Sequence, residues 1–364
     1  MRLTLKKLIL VLFLISITGF SQAQSPIKVA FINPAPQGND FWDLVVSFMQ
    51  ASADDLNIDL TVLYTPSHHR NESFKNAIKL IRSADKPDFL IGVFQKKTAL
   101  QVLEFTQKYN VPFYAINTDV PEERRHLIAT PRNKFTHWLG HSLPNDVQAG
   151  YLMAKELIEK VGNNGTAKKQ TTLLAISGSM DSSASYDRNA GLYKALEEHP
   201  EVKLNQLVFT DWSKENAYKK TLGLLNRYPN TNIIWAANDS IALGAVQAIG
   251  EKKIMISGTD WSSDGLKAVL NNKLISSYGG HFVEGGFALV LLYDYFHGID
   301  FIEDPGLKIN TEFAKIDLTN IEDFNKVFAE QNWGQINFQH FSKHLTPNVK
   351  KYDFSWDNIY KNID

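Results

Sequence analysis

The segment that decides the fold is Trp235-Ala236-Ala237-Asn238-Asp239-Ser240-Ile241-Ala242-Leu243-Gly244-Ala245. An apolar run ends at Asn238 and Asp239, and apolar residues at helical spacing begin directly after them. The segment therefore predicts a strand that turns into a helix, with an amide and a carboxylate at the carboxyl end of the strand. In open parallel sheets, ligands bind in the crevice at that end of the strands.

A second segment, Asn39-Asp40-Phe41-Trp42, has the same layout near the start of the chain. It follows the apolar run 27–32 and opens a predicted helix over residues 40–56. The two segments predict polar and aromatic side chains at the same edge of two sheets.

Strand-like and helical stretches alternate along most of the chain. The predicted strands are 27–32, 59–64, 89–94, 111–116, 172–177, 203–210, 232–236 and 253–257, with helices of about ten residues or more between them. This order predicts right-handed βαβ units and parallel sheets covered by helices on both faces, an α/β fold. The length of 364 residues favours two lobes. After about residue 330 the alternation stops.

The N-terminus has the pattern of a secretory signal peptide over residues 1–23. Arg2, Lys6 and Lys7 precede the apolar run 8–20, and the small residues of Ser21-Gln22-Ala23 predict cleavage after Ala23. An uncleaved membrane anchor is the alternative, but the apolar run is shorter than the about 20 residues that span a bilayer. The chain contains no Cys, which excludes thiol catalysis, thiolate metal sites and a lipid attached to an N-terminal cysteine. We therefore expect an exported, soluble protein.

Composition and motifs argue against several classes of protein. The net charge of −1 disfavours a nucleic-acid surface. No Gly-x-Ser-x-Gly motif occurs, and Ser177-Gly178-Ser179-Met180 matches only part of one. The pairs His137/His141 and His340/His344 have spacing that could hold a metal on a helix, but neither has an evident third ligand. We predict no metal site, no cofactor and no enzymatic activity.

Polar and aromatic residues recur at the ends of the predicted strands. Planar Asn, Asp and Arg groups can donate to and accept from the hydroxyls of a sugar, and flat aromatic rings can cover its apolar faces. Taken singly, Asn39 could be only a helix cap, Arg188 a surface ion pair, and Trp212 or Trp261 core packing. The strand-end residues are Asn39, Phe41 and Trp42, Asn117-Thr118-Asp119, the run 186–191 with Arg188, Asp211-Trp212, Asn238-Asp239 and Thr259-Asp260-Trp261.

Residues 27–310 resemble the type I periplasmic binding proteins of the ribose/galactose class, most specifically at 186–191, 237–245 and 258–260. The resemblance implies two Rossmann-like lobes joined by a hinge of three crossings, near residues 140–145, 279–282 and 305–310. It implies a first lobe of residues 24–140 plus 282–306, a second lobe of 141–281 plus 307–330, and a C-terminal extension of 331–364. It also implies that Asn39, Phe41, Trp42, Asn117, Asp119, Arg188, Trp212, Asn238 and Asp260 contact a ligand. We predict that Arg188 and Asp260 form its polar clamp.

One departure from the family stands at Gly280, where members often have Gln. His281 or Tyr278 could substitute for that Gln, or the ligand differs. The chain is also similar to the autoinducer-2 receptor, in which Gln37, Trp42, Asn117 and Arg188 match contact positions. A second arginine of that receptor would fall at Gly280, which disfavours a borate diester as the ligand.

The resemblance implies a periplasmic protein that binds a small polar solute reversibly, with a sugar as the expected class, and delivers it to an ABC importer. The alternative is a receptor that signals to a membrane histidine kinase or cyclase. A repressor core of the LacI type shares the fold, but it would carry a helix-turn-helix in place of the signal sequence.

Overall fold

A computed structural model of the chain describes residues 25–66, 72–95, 98–120, 122–163, 170–328 and 331–363. The predicted signal peptide lies outside these residues. Among the described residues, no helix is both long and apolar enough to cross a membrane.

The first sheet has six parallel strands. Along the sheet, the strands run β11-β5-β4-β3-β1-β2. Their bounds are β1 Ile27–Ile32, β2 Ile58–Leu63, β3 Phe89–Gly92, β4 Phe113–Ile116, β5 Trp138–Pro144 and β11 Lys308–Thr311. The helices on this sheet and its loops are α1 Asp40–Asp55, α2 Glu72–Ile81, α3 Ala99–Tyr109, α4 Arg125–Ile128 and α10 Glu284–Phe296.

The second sheet repeats this plan with the order β12-β10-β9-β8-β6-β7. Only β12 is antiparallel to its neighbour, β10. The strands are β6 Thr171–Ser177, β7 Val202–Phe209, β8 Ile233–Ala236, β9 Met255–Thr259, β10 Ser277–Gly279 and β12 Ala314–Ile316. The helices are α5 Asp146–Asn163, α6 Ser183–Glu198, α7 Lys214–Arg227, α8 Asp239–Ile249, α9 Ser263–Leu270 and α11 Ile321–Phe328, with α12 Trp356–Lys361 near the end of the chain.

The strand and helix patterns of the sequence are explained by burial. All four residues of β8 are buried, because helices cover both faces of the sheet. In α1 the buried residues are Leu44, Val45, Phe48, Met49, Ser52 and Ala53, which lie on one face. The predicted α/β fold with two lobes is confirmed.

The chain passes from one sheet to the other three times. The crossings are residues 144–146, which lead into α5, residues 279–283, which lead into α10, and residues 311–314. The third lies beyond the predicted 305–310 because β11 still pairs with β5 of the first sheet. The lobe boundaries taken from the resemblance stay predictions.

Residues 331–363, called the C-terminal tail below, pack on both lobes. Trp333, Phe338 and Phe341 are buried, and the ring of Phe338 lies 5.2 Å from that of Phe48 in α1. Trp356 returns to the second lobe, where its ring lies 5.0 Å from that of Trp261. The tail therefore contacts both sides of the hinge.

Neither histidine pair lies on a continuous helix. His141 is in β5, and His340 is in a short 3-10 turn. Among the described residues, no group of three potential metal ligands is assembled.

Candidate ligand-binding site between the lobes

The first turns of α1 and α8 meet across the gap between the lobes. Asn39 caps α1 by accepting the N–H of Trp42 at 3.1 Å, and Asn238 caps α8 by accepting the N–H of Ile241 at 2.9 Å. The Ser240 hydroxyl in α8 donates to Asp40 Oδ2 in α1 at 3.1 Å. The two segments that defined the sequence pattern are thus brought together.

Arg188 is the buried cation of this gap, with 3% of its surface exposed. Its Nε donates to Asp146 Oδ1 at 2.6 Å, and its Nη1 donates to the carbonyl of Ala237 and to Thr259 Oγ1, both at 2.7 Å. None of these bonds uses Nη2. The alternative that Arg188 forms a surface ion pair is therefore wrong. The guanidinium is buried and binds Ala237 and Thr259 at the carboxyl ends of β8 and β9.

Asp260 lies beside this cation but does not pair with it closely. Its Oδ1 is 3.8 Å from Arg188 Nη1, and its Oδ2 accepts from Asn238 Nδ2 at 3.2 Å. Burial raises the pKa of Asp260 to about 7, although Arg188 and the hydrogen bond from Asn238 act in the opposite direction. The tight partner of Arg188 is Asp146, whose own pKa is raised by burial and lowered by Arg188.

Three rings form a stack that runs between the lobes. His281, in the second crossing, lies 4.7 Å from Phe41 of α1 with an interplanar angle of 19°, and 4.4 Å from Phe313 of the third crossing. The imidazole is 1% exposed, and neither of its nitrogens has a hydrogen-bond partner. Burial, with the nearby charge of Arg188, holds the pKa of His281 well below its usual value, so the ring is neutral.

Trp212 completes the aromatic lining. The Arg188 guanidinium lies 5.8 Å from the Trp212 ring and 5.6 Å from the Phe313 ring. Trp212 lies so close to Gly178 that an added Cβ at Gly178 would overlap the indole. The short Ser-Gly-Ser sequence around Gly178 therefore makes room for a tryptophan.

The other tryptophans have supporting positions. Trp42 is half-buried and packs edge-on against Phe41, with ring centroids 5.1 Å apart. Trp261 is 3% exposed and donates its indole N–H to the carbonyl of Ser277 at 3.0 Å. The core-packing alternative thus holds for Trp261.

Several residues at the strand ends have positive φ angles. The angles are 68° for Asn117, 69° for Trp212, 117° for Asp260 and 59° for Trp261. Such conformations are uncommon for residues other than glycine and concentrate at functional sites, where surrounding contacts hold them. They aim side chains out of the strand direction at the edge where the lobes face each other.

A polar cavity of about 150 Å³ extends from Asp146 along the hinge. Asn117, Asp119, Ser183, Asp187 and Asn310 are among its lining residues. Asp119 accepts from Arg125 at 2.8 Å and from Lys308 at 3.2 Å, and its N–H donates to Ser183 Oγ of the opposite lobe at 3.1 Å. Burial and the neighbouring carboxylates of Asp146 and Asp119 raise the pKa of Asp187 to about 6.

Gln37 is exposed and lines neither the ring stack nor this cavity.

Glu284 follows the second crossing and is 3% exposed. Its Oε2 accepts the N–H of Asn117 at 2.9 Å, and burial raises its pKa to about 8.

Asp239 accepts hydrogen bonds that hold the backbone segments around Asn238 and Asp260 in place. It is fully buried and accepts from the N–H of Ser262 at 2.9 Å, from Ser262 Oγ at 3.1 Å and from Ser277 Oγ at 2.8 Å. These bonds join the starts of α8 and α9 to β10. Desolvation and the nearby Asp260 raise the pKa of Asp239 well above its usual value.

Residues 29–296 match the family model described as "Periplasmic binding protein domain". The chain belongs to the periplasmic binding protein family. It is 25% identical to the ribose import binding protein RbsB of Haemophilus influenzae over 272 residues, which are 73% of this chain and 84% of that protein. It is 21% identical to the D-allose-binding periplasmic protein of Escherichia coli, over 71% of this chain and 80% of that protein.

A solved periplasmic sugar-binding protein from Pseudomonas fluorescens has 33% sequence identity and a TM-score of 0.81 to this periplasmic binding protein. The alignment covers 92% of this chain and 99% of that one. The predicted membership of the ribose/galactose class is confirmed, and so is the prediction of a binding protein rather than an enzyme, since these relatives are solute-binding proteins.

Sequence reasoning missed several residues of the site. Asp146 was not among the predicted binding residues, and Phe313 lies in the third crossing, which was predicted near 305–310 and is found at 311–314. Gly178 looked like part of a hydrolase motif, and Glu284 carried no signal. The Pro144-Asn145-Asp146 sequence, with a carboxylate directly after a strand, could have indicated Asp146.

Proposed function

We propose that this periplasmic binding protein binds a small neutral sugar between its lobes and delivers it to an ABC importer. The observation that carries the proposal is the buried group of Arg188, Asp260 and Asn238 beside the rings of Phe41 and Trp212. A sugar offers adjacent hydroxyls and apolar ring faces, which match these two kinds of surface. Two relatives are named as binding proteins for ribose and for D-allose, which supports the same ligand class.

We assign the roles of the residues from the hydrogen-bonding groups and ring faces that each can offer to a ligand. Arg188 uses Nε and Nη1 inside the protein, which leaves Nη2 to donate to a ligand hydroxyl. Asp260 accepts from a hydroxyl, and Asn238 holds that carboxylate in place. Phe41 and Trp212 cover the faces of the sugar ring. Asn117 and Asp119 face the part of the ligand that enters the polar cavity. Asn39 caps the helix that carries Phe41, and Trp42 packs against the Phe41 ring.

The receptor that signals to a histidine kinase or cyclase stays the alternative prediction, and the names of the relatives, which describe import binding proteins, do not favour it.

We also propose that residues 1–23 direct export to the periplasm and are cleaved after Ala23. Mass spectrometry of a periplasmic extract should show a chain that begins at Gln24. A full-length chain in the membrane fraction would contradict this.

The ligand proposal is tested by thermal shift with D-ribose, D-allose, L-arabinose, D-galactose and D-tagatose. A ligand at 100 times its Kd stabilises the native state by about 2.7 kcal/mol, so at least one sugar should raise the Tm clearly. Trp212→Ala should reduce the shift, and Tyr186→Ala, which truncates an exposed aromatic side chain, should keep it. A shift with amino acids or nucleosides and with none of the sugars would overturn the proposal.

A further inference from the structure

The second crossing presents its residues alternately to the ligand site and to the C-terminal tail. His281 points to the site, where its ring lies between Phe41 and Phe313. Gly280 and Phe282 face the tail: the ring of Phe282 lies 5.8 Å from that of Trp356 and 5.0 Å from that of Trp333. The crossing is thus a thin layer between the site and the tail.

The indole of Trp356 lies directly on this layer. A Cβ added at Gly280 would overlap its Nε1, and Gly280 has a φ of +96°, which glycine adopts more readily than other residues. A Cβ added at Gly279 would overlap the ring of Trp261, which itself packs against Trp356 at 5.0 Å. The indoles of Trp261 and Trp356 therefore pack directly against the two consecutive glycines before His281.

The tail that carries Trp356 is also held by contacts outside the crossing. The buried carboxylate of Asp294 in α10 accepts from Ser342 Oγ at 2.5 Å, from the N–H groups of Lys343 and His344 at 2.7 and 3.2 Å, and from the Tyr352 hydroxyl at 2.6 Å. On the other side, the Phe328 ring of α11 lies 5.8 Å from that of Trp356. Supports in both lobes fix the position of the indole.

We infer that Trp356 is a positioning residue for the ligand site: through Gly280 it fixes the second crossing and so holds the His281 ring between Phe41 and Phe313. Neither nitrogen of the neutral imidazole has a hydrogen-bond partner in the protein, and Nε2 lies 3.7 Å from Asp260 Oδ1, so the ring offers one donor and one acceptor to a ligand bound beside Asp260. The part of the inference that concerns ligand contact rests on the proposed function. The part that concerns the position of the ring does not.

The position of the ring is tested without ligand, by NMR of the ring Cε1–Hε1 groups of the ten histidines in the full chain. His281 is assigned from His281→Gln. Because the ring lies between two aromatic faces, its Hε1 should resonate upfield of an exposed imidazole. Trp356→Leu, which keeps an apolar side chain in the core, should move that resonance downfield, and Trp356→Phe should restore most of the upfield shift.

Two further variants make this test specific. Gly280→Ala perturbs the same contact from the other side and should move the same resonance. Tyr352→Phe, which removes one hydrogen bond of the tail far from the crossing, should leave it unchanged. An unmoved His281 resonance in folded Trp356→Leu and Gly280→Ala would overturn the inference.

The effect on the ligand is measured by calorimetry with the sugar that gives the largest thermal shift. Trp356→Leu should weaken binding about tenfold, but it should have no further effect in a His281→Ala background, because both changes remove one contact. An equal loss in both backgrounds would show that the tail acts only through general stability. If no sugar of the panel binds, the proposed function fails, and the NMR experiment still decides the position of the ring.

Discussion

Replacing Arg188 with Met should destabilise the ligand-free protein strongly. The change removes the charge that faces Asp146 at 2.6 Å and leaves that carboxylate with 4% of its surface exposed. Breaking a buried ion pair by removing one partner costs about 3–5 kcal/mol, because the remaining charge is buried without compensation. Such a loss is a large share of the about 5–15 kcal/mol that separates folded from unfolded proteins.

The pH dependence of this loss follows from the same charge. Burial raises the pKa of Asp146 above 3.8, and Arg188 opposes that rise in the wild-type protein. Without Arg188 the folded state holds a proton on Asp146 at pH values where the unfolded chain has lost it. Stability is therefore lost as the pH rises, and each unit of pKa difference corresponds to about 1.36 kcal/mol. Acidification from pH 8 to pH 5 should narrow the gap between Arg188→Met and the wild type.

The assay is urea denaturation of both proteins at pH 5, 7 and 8. The double variant Asp146→Ala with Arg188→Met serves as the control, and it should regain most of the lost stability because no buried charge is left unpaired. A loss below about 1 kcal/mol at pH 7, or a double variant less stable than Arg188→Met, would refute the reasoning.

Further predictions concern the ring lining, the hinge and the tail. Trp212→Ala should weaken sugar binding by about 1–3 kcal/mol in calorimetry, and Gly178→Ala should do the same by displacing the indole; an unchanged Kd in both would remove Trp212 from the site. Because burial raises the pKa of Glu284 from 4.5 to about 8, its contribution to stability is present below pH 4.5 and is lost as the pH rises through 8. Urea titrations of Glu284→Gln should therefore show a flatter pH dependence than those of the wild type, and identical slopes would contradict this. Asp294→Ala should lower the free energy of unfolding by about 2–4 kcal/mol, since four donors of the tail lose their acceptor, whereas an unchanged urea midpoint would mean that the tail is held otherwise.

The parts of the fold that were predictable from the sequence are those set by local signals. The helix α8 begins where Asn238 can cap it, and its apolar residues repeat at helical spacing. The edge strand β11 was missed, because its residues are at most partly buried and do not form the continuous apolar run that marks β8. The tail gave no periodic pattern, since its aromatic residues pack one by one on two lobes instead of along one face.

The site was predictable in composition more than in geometry. Residues at strand ends identified Asn238 and Asp260, because their positions depend on the element that precedes each of them. The pairing of Arg188 depends on Asp146, 42 residues away in the chain, and no local pattern indicates such a contact. The positive φ of Trp212 is likewise imposed by tertiary packing against Gly178.

The hydrogen bonds that Asp239 accepts have a thermodynamic consequence for ligand capture. They make the starts of α8 and α9 and the strand β10 one rigid unit, and Asn238 Nδ2 in turn donates to Asp260, so both side chains are already ordered before a ligand arrives. Ordering a flexible side chain during association costs about 0.5–1.5 kcal/mol, and here folding has already imposed that order. The entropy lost on binding then comes chiefly from the closing of one lobe on the other. Ligands of one size should consequently differ in the enthalpy of their hydroxyl contacts while sharing nearly the same entropic term.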